Sequence, residues 1–124
     1  MKNLAWWIVG LLGIEFVLGM LANMYEEVPA DAPYSVLHHP GFITWHAANG
    51  ILLTLLVIWF LVLALRNKRQ LNWAIAGLAS VFVAHAAGVG FLHTQQEWYS
   101  LVMAVGFLGA FFSYSVTAIT SEKK

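Results

Sequence analysis

The sequence predicts an all-α integral membrane protein, an up-and-down bundle of four helices with both termini on the cytoplasmic side. Three observations carry that expectation. Sixty per cent of the 124 residues are hydrophobic, four stretches are long enough to cross a bilayer, and every basic residue falls on one side of them. Only 10 per cent of the residues are charged, against about 25% in an ordinary soluble domain. So few charges cannot cover a water-soluble globule of this size. That excludes a conventional soluble enzyme, a nucleic-acid binder and a disordered tail. The chain has no cysteine, so disulfides, thiolate metal sites, iron–sulfur clusters and covalently attached haem are excluded too. We expect one domain over residues 1–124.

A spanning helix needs about 20 mostly apolar residues to cross roughly 30 Å of hydrocarbon. The stretches 4–23, 43–65, 71–92 and 99–120 meet that requirement. The first follows Lys2 and has the look of a signal peptide, but it is longer than an h-region of about 7–15 residues and carries Glu15. The small-residue site Ala30-Asp31-Ala32 is followed by Pro33, which disfavours cleavage, so the segment reads as a retained helix. Residues 67–70 are a tight turn, which makes helices two and three antiparallel neighbours, and 94–98 is similarly short. Segment 24–42 holds Pro29, Pro33 and Pro40, and reads as an extended outer loop able to cover anything bound beneath it.

Charge placement gives the orientation. Lys2, Arg66, Lys68, Arg69, Lys123 and Lys124 lie at the N-terminus, the second connection and the C-terminus. Glu26, Glu27, Asp31 and Glu97 lie in the first and third connections. The positive-inside rule then makes the basic side cytoplasmic, as expected for the bacterial inner membrane. Trp6, Trp7, Trp73, Trp98 and Tyr99 fall near the expected interfaces, as aromatic belts do.

Charged groups within hydrocarbon cost about 2.5–3.5 kcal/mol on insertion scales, so each polar residue in a span needs a reason. Here they are Glu15, His46, Asn49 and His85, with Asn23 and His93 at the outer border. At a rise of about 1.5 Å per residue, Glu15 lies roughly 17 Å and His85 roughly 21 Å above the cytoplasmic edge. His46 lies roughly 4–5 Å below the outer edge. The histidines of the spans therefore gather in the outer half. His46 shares a helical face with Asn49 and Gly50, and His85 shares one with Gly88. Small residues beside a membrane histidine admit three readings. They let helices approach closely, with the imidazole bonding across the gap; they clear room for a haem whose iron takes His46 and His85 as axial ligands; or they border another metal. Glu15 is either a hydrogen-bond donor to a neighbouring helix or a proton relay, and Gly19, Ala22 and Asn23 continue its face outward. His38 and His39 beside acids, with His93 and Met24, form a candidate outer copper or zinc site, and His39 is also a candidate lid residue. Met20, Met24 and Met103 read mainly as filler. Gly106, Gly109 and Ser113 on helix four, and Gly10 and Gly13 on helix one, read as packing surfaces.

Four short helices, with His46 near Gly50 and His85 near Gly88, resemble the membrane b-type cytochromes, in the style of the cytochrome b561-like group. The resemblance implies a haem b held by His46 and His85 near the outer face, with Asn49, Gly50, Gly88 and Asn23 around it. It implies an electron carrier exchanging electrons with quinone or a small outer redox partner. The inner half has no histidine for a second haem, which departs from many members of that group. The stretch from Glu15 through Gly19-Met20, Asn23 and Tyr25 into a proline-bearing loop is also similar to small bacterial membrane proteins. Two other expectations stay open: an accessory subunit packing in a larger membrane complex or a homodimer, and an outer-face metal or proton handling protein.

Overall fold

A computed structural model describes residues 1–121, and the basic pair Lys123 and Lys124 lies outside the described residues. Four long helices carry the chain: α1 (Lys2–Tyr25), α2 (Phe42–Asn67), α3 (Leu71–Thr94) and α4 (Trp98–Thr120). All four are long and apolar enough to cross a membrane, and among the described residues there is no strand. Each helix runs beyond its expected apolar window by up to two residues at either end. The last turns are polar but still hydrogen-bonded, as when Glu26 N–H reaches Ala22 O at 3.0 Å.

The helices pack as a closed ring. α1 packs along α2 and α4, and α3 along α2 and α4, while across one diagonal Phe60 of α2 reaches Tyr114 of α4. Between α2 and α3 the turn closes through left-handed backbone at Lys68 (φ 52°) and Gln70 (φ 58°). The Lys68 and Arg69 N–H groups both bond Ala64 O, so the end of α2 is capped without glycine.

Lipid is as apolar as leucine, so burial alone gives these helices little reason to associate; close packing must supply it. The α3–α4 pair packs most extensively, and small residues line it. A methyl at Gly106 would stand 2.8 Å from Ser80 O and 2.9 Å from Ala84 N, so the α3 backbone lies directly on that glycine. A methyl at Gly109 would meet Ser80 Oγ at 2.6 Å. The expectation for Gly10 and Gly13 is corrected: a methyl at either meets nothing within 4 Å, because both point away from the bundle.

Buried side chains concentrate at the end of the ring that holds the α2–α3 turn. Ile8, Leu12, Val57, Phe60 and Tyr114 fill it, with Phe60 and Tyr114 edge to face at 5.4 Å. Toward the opposite end fewer residues are buried, chiefly Ala22, Gly50 and Ala87. The long segment there contains a 3-10 helix, η1 (Pro33–His38), and is tied down at four points. Both Glu26 carboxylate oxygens accept backbone N–H groups at the start of α2, from Phe42 and from Ile43 (3.0 Å). Thr44 donates to His39 O (2.6 Å), Tyr34 and His93 join side chains at 2.5 Å, and Gln95 donates to Val28 O (2.8 Å).

Glu26 thus caps α2 from outside the helix. Glu26→Ala leaves two first-turn donors without this acceptor and is expected to cost about 1 kcal/mol. Thermal unfolding in detergent checks it; an unchanged midpoint would show that solvent serves those donors equally well.

Candidate functional site

Glu15 joins His46 and Asn49 on one side of α2, and Glu15 and His85 meet at Gly50. Helix periodicity explains the arrangement within α2: His46, Asn49 and Gly50 lie three and four residues apart on adjoining faces. His46 and Asn49 turn toward α1, while Gly50 and Thr54 turn toward α3.

On the α1 side, Asn49 spends both amide hydrogens on one helix. Its Nδ2 donates to Glu15 Oε2 at 2.6 Å and to Leu11 O at 3.2 Å. His46 Nδ1 lies 3.1 Å from Glu15 Oε1 and 3.2 Å from Glu15 O. The imidazole can pack there because Gly19 has no side chain: a methyl at Gly19 would stand 3.1 Å from His46 Cε1. The Glu15 side chain is 14% exposed and that of His46 31%. The carboxyl is therefore held from both oxygens, one by an amide that only donates and one by a ring nitrogen that does either.

Across α2, His85 belongs to another seam. Its Nδ1 donates to Val81 O, one turn back, at 2.9 Å, and its Nε2 stands 3.5 Å from Thr54 Oγ1. Thr54 Oγ1 donates to Gly50 O at 2.8 Å. The His85 ring remains exposed along the α2–α3 seam. A methyl at Gly50 would meet both Glu15 Oε1 and His85 Nε2 at 3.1 Å, so these two groups converge on the bare Cα of Gly50.

The remaining candidates lie elsewhere. Gly88 faces Met103 Sδ on α4 (3.4 Å from an added methyl) rather than sharing the His85 seam, because a step of three residues turns it to the next interface. Asn23 is exposed and is no partner of the cluster. His38 and His39 are exposed; His39 contributes a backbone carbonyl, and His93 holds Tyr34. Met24 is exposed as well. Among the described residues no group of three His, Asp or Glu side chains is placed to hold a metal ion, so His38, His39 and His93 do not form one site.

Whether His46 and His85 suit a haem iron is tested by their ring nitrogens and by the space between them. Each ring has Nδ1 engaged by an oxygen, the arrangement that turns Nε2 toward a metal. The space does not suit it. Nε2 of His85 abuts α2 at Gly50, the His46 ring abuts α1 at Gly19, and the volume freed by both glycines is taken by these side chains. A macrocycle does not fit between the imidazoles in this packing.

Two contributors were not expected. Thr54 stands four residues beyond Gly50 in an apolar run, a spacing that marks it in retrospect, although helical threonines commonly just bond the carbonyl one turn back. Leu11 contributes only its carbonyl, which no side-chain pattern reveals. No known protein family, curated protein or solved structure matches the chain.

Proposed function

We propose that this chain is a multi-pass protein of a bacterial cytoplasmic membrane, with both termini cytoplasmic, that takes up and releases a proton at an intramembrane carboxyl–imidazole site. The supporting observation is the 3.1 Å contact between Glu15 Oε1 and His46 Nδ1. A protonated Nδ1 donates to a carboxylate and to Glu15 O alike, and a carboxylic acid donates to a bare Nδ1 at the expense of the 3.2 Å contact with Glu15 O. Asn49 steadies the carboxyl in both, since its amide donates to Oε2 throughout. An acid at this depth is costly unless it is used or paired, and here its main partner can take its proton. The tightly filled end of the bundle favours exchange from the end nearer Glu26–Gly41.

Infrared difference spectroscopy on proteoliposomes tests the proposal. A pH step on the side of the proline-bearing segment is expected to produce a carboxyl band, and a step on the side of the α2–α3 turn a much slower one. No carboxyl band from either side would refute it.

A b-type haem carrier working with quinone or a small redox partner is the second reading, favoured by the Nδ1 anchoring of both imidazoles. It requires His85 to leave Gly50 and His46 to leave Gly19, so that α2 parts from both α3 and α1. Purified protein then shows a reduced-minus-oxidised haem spectrum that is lost in both His46→Ala and His85→Ala; a colourless protein after expression with haem removes this reading.

A further inference from the structure

The polar atoms around His85 are all acceptors once Glu15 is a carboxylate. Nδ1 faces Val81 O at 2.9 Å, and a carbonyl can only accept, so Nδ1 carries a hydrogen. Nε2 faces Thr54 Oγ1 at 3.5 Å, but the single Thr54 hydrogen is committed to Gly50 O at the shorter 2.8 Å. What Thr54 offers Nε2 is therefore a lone pair. The other group converging on Nε2 is Glu15 Oε1, across Gly50. With Glu15 as a carboxylate, a neutral ring protonated at Nδ1 would set the Nε2 lone pair against two oxygens. A ring protonated at both nitrogens satisfies every neighbour.

We propose that His85 is a second station for the proton, exchanged with Glu15 across Gly50, and that Thr54 is the positioning residue that receives the Nε2–H. The proposal rests on the reading of Glu15 as a proton-handling carboxyl, and adds where the proton goes. In the step the O–H bond of the Glu15 carboxylic acid breaks, its electron pair stays on the carboxylate, and an N–H bond forms at His85 Nε2. No oxidant or reductant is involved. Oε1 and Nε2 each stand 3.1 Å from the same point beside Gly50, so they are no farther apart than twice that, and the proposed exchange uses a water that bonds both.

The titratable groups near His85 are accounted for from each packed element. α1 supplies Glu15, and α2 supplies His46, which faces α1. On α4, Tyr99 packs at Gly90 and Tyr114 at Gly77, each at least five residues from His85. Tyr34 of η1 is taken by His93, and His38 of η1 is exposed.

The test uses the full chain in lipid bilayers, labelled with 15N-histidine, with infrared spectra from the same samples. The His85 signals are assigned by their loss in His85→Asn. As the Glu15 carboxyl band gives way to carboxylate, His85 Nε2 is expected to move from the bare-nitrogen to the N–H shift. In Thr54→Val, which keeps the side-chain shape, that move is lost, and Thr54→Ser restores it; unchanged His46 signals report an intact fold. If the carboxyl band changes while Nε2 stays bare, His85 is not a station and the Glu15 reading stands. If Nε2 moves equally in Thr54→Val, the role of Thr54 is overturned. If the carboxyl band never changes, the Glu15 reading fails and this inference fails with it.

Discussion

Glu15→Gln is expected to abolish the carboxyl band in pH-step infrared spectra while leaving the helical bundle intact. Glutamine keeps the length of the side chain and a carbonyl oxygen for Asn49, so the tie between α1 and α2 survives. Its amide also donates to His46 Nδ1. What disappears is the ability to exchange a proton, because an amide neither gives nor takes one at ordinary pH. The expected effect is therefore all or none in the spectrum and small in thermal unfolding. Persistence of the band in the variant would place the titrating carboxyl elsewhere and remove the central residue of the proposed function. Asn49 supplies a useful contrast. Asn49→Leu leaves the carboxyl in place but strips Oε2 and Leu11 O of their donor, an expected loss of about 1–3 kcal/mol of stability.

The second large effect concerns the helix pair rather than the site. Gly106→Val is expected to destabilise the bundle by about 1–3 kcal/mol, the usual range for overpacking. Even one added carbon would lie 2.8 Å from Ser80 O and 2.9 Å from Ala84 N. Those are backbone atoms of α3, which cannot rotate aside, so α3 and α4 must separate along their closest seam. Gly10→Val is the matched control. It makes the same chemical change on a face where an added carbon meets nothing within 4 Å, and is expected to leave the unfolding midpoint unchanged. Equal midpoints for the two variants in detergent unfolding would show that close approach at Gly106 contributes nothing to stability.

Much of the architecture is legible from composition and order. The four apolar stretches mark four helices to within two residues at each end, because hydrocarbon length and helical rise leave little freedom. The gathering of Glu15, His46, Asn49 and His85 is legible only as a similarity of depth. Depth follows from counting residues, whereas the direction in which each side chain points depends on how neighbouring helices are rotated about their axes. That rotation is decided by packing at residues such as Gly19, Gly50 and Gly106, whose shared smallness does not say which partner each will meet. Gly10 and Gly106 look alike in sequence and face opposite surroundings. The same gap leaves Thr54 and the Leu11 carbonyl without a signal in the sequence, and lets Gly88 share a helical face with His85 while facing α4. The Tyr34–His93 link depends on the path of a loop, which no periodicity encodes.

The ring of helices has one further consequence. α1 and α3 lie diagonally across it, their backbones apart among the described residues, yet each sends a polar group to the same glycine on α2. The spacing between Glu15 and His85 is therefore set through an intermediary. A tilt of α1 or α3 against α2 therefore changes that spacing. On the proposed exchange, a change in bilayer thickness that leans either helix is expected to alter how readily the two groups share a proton.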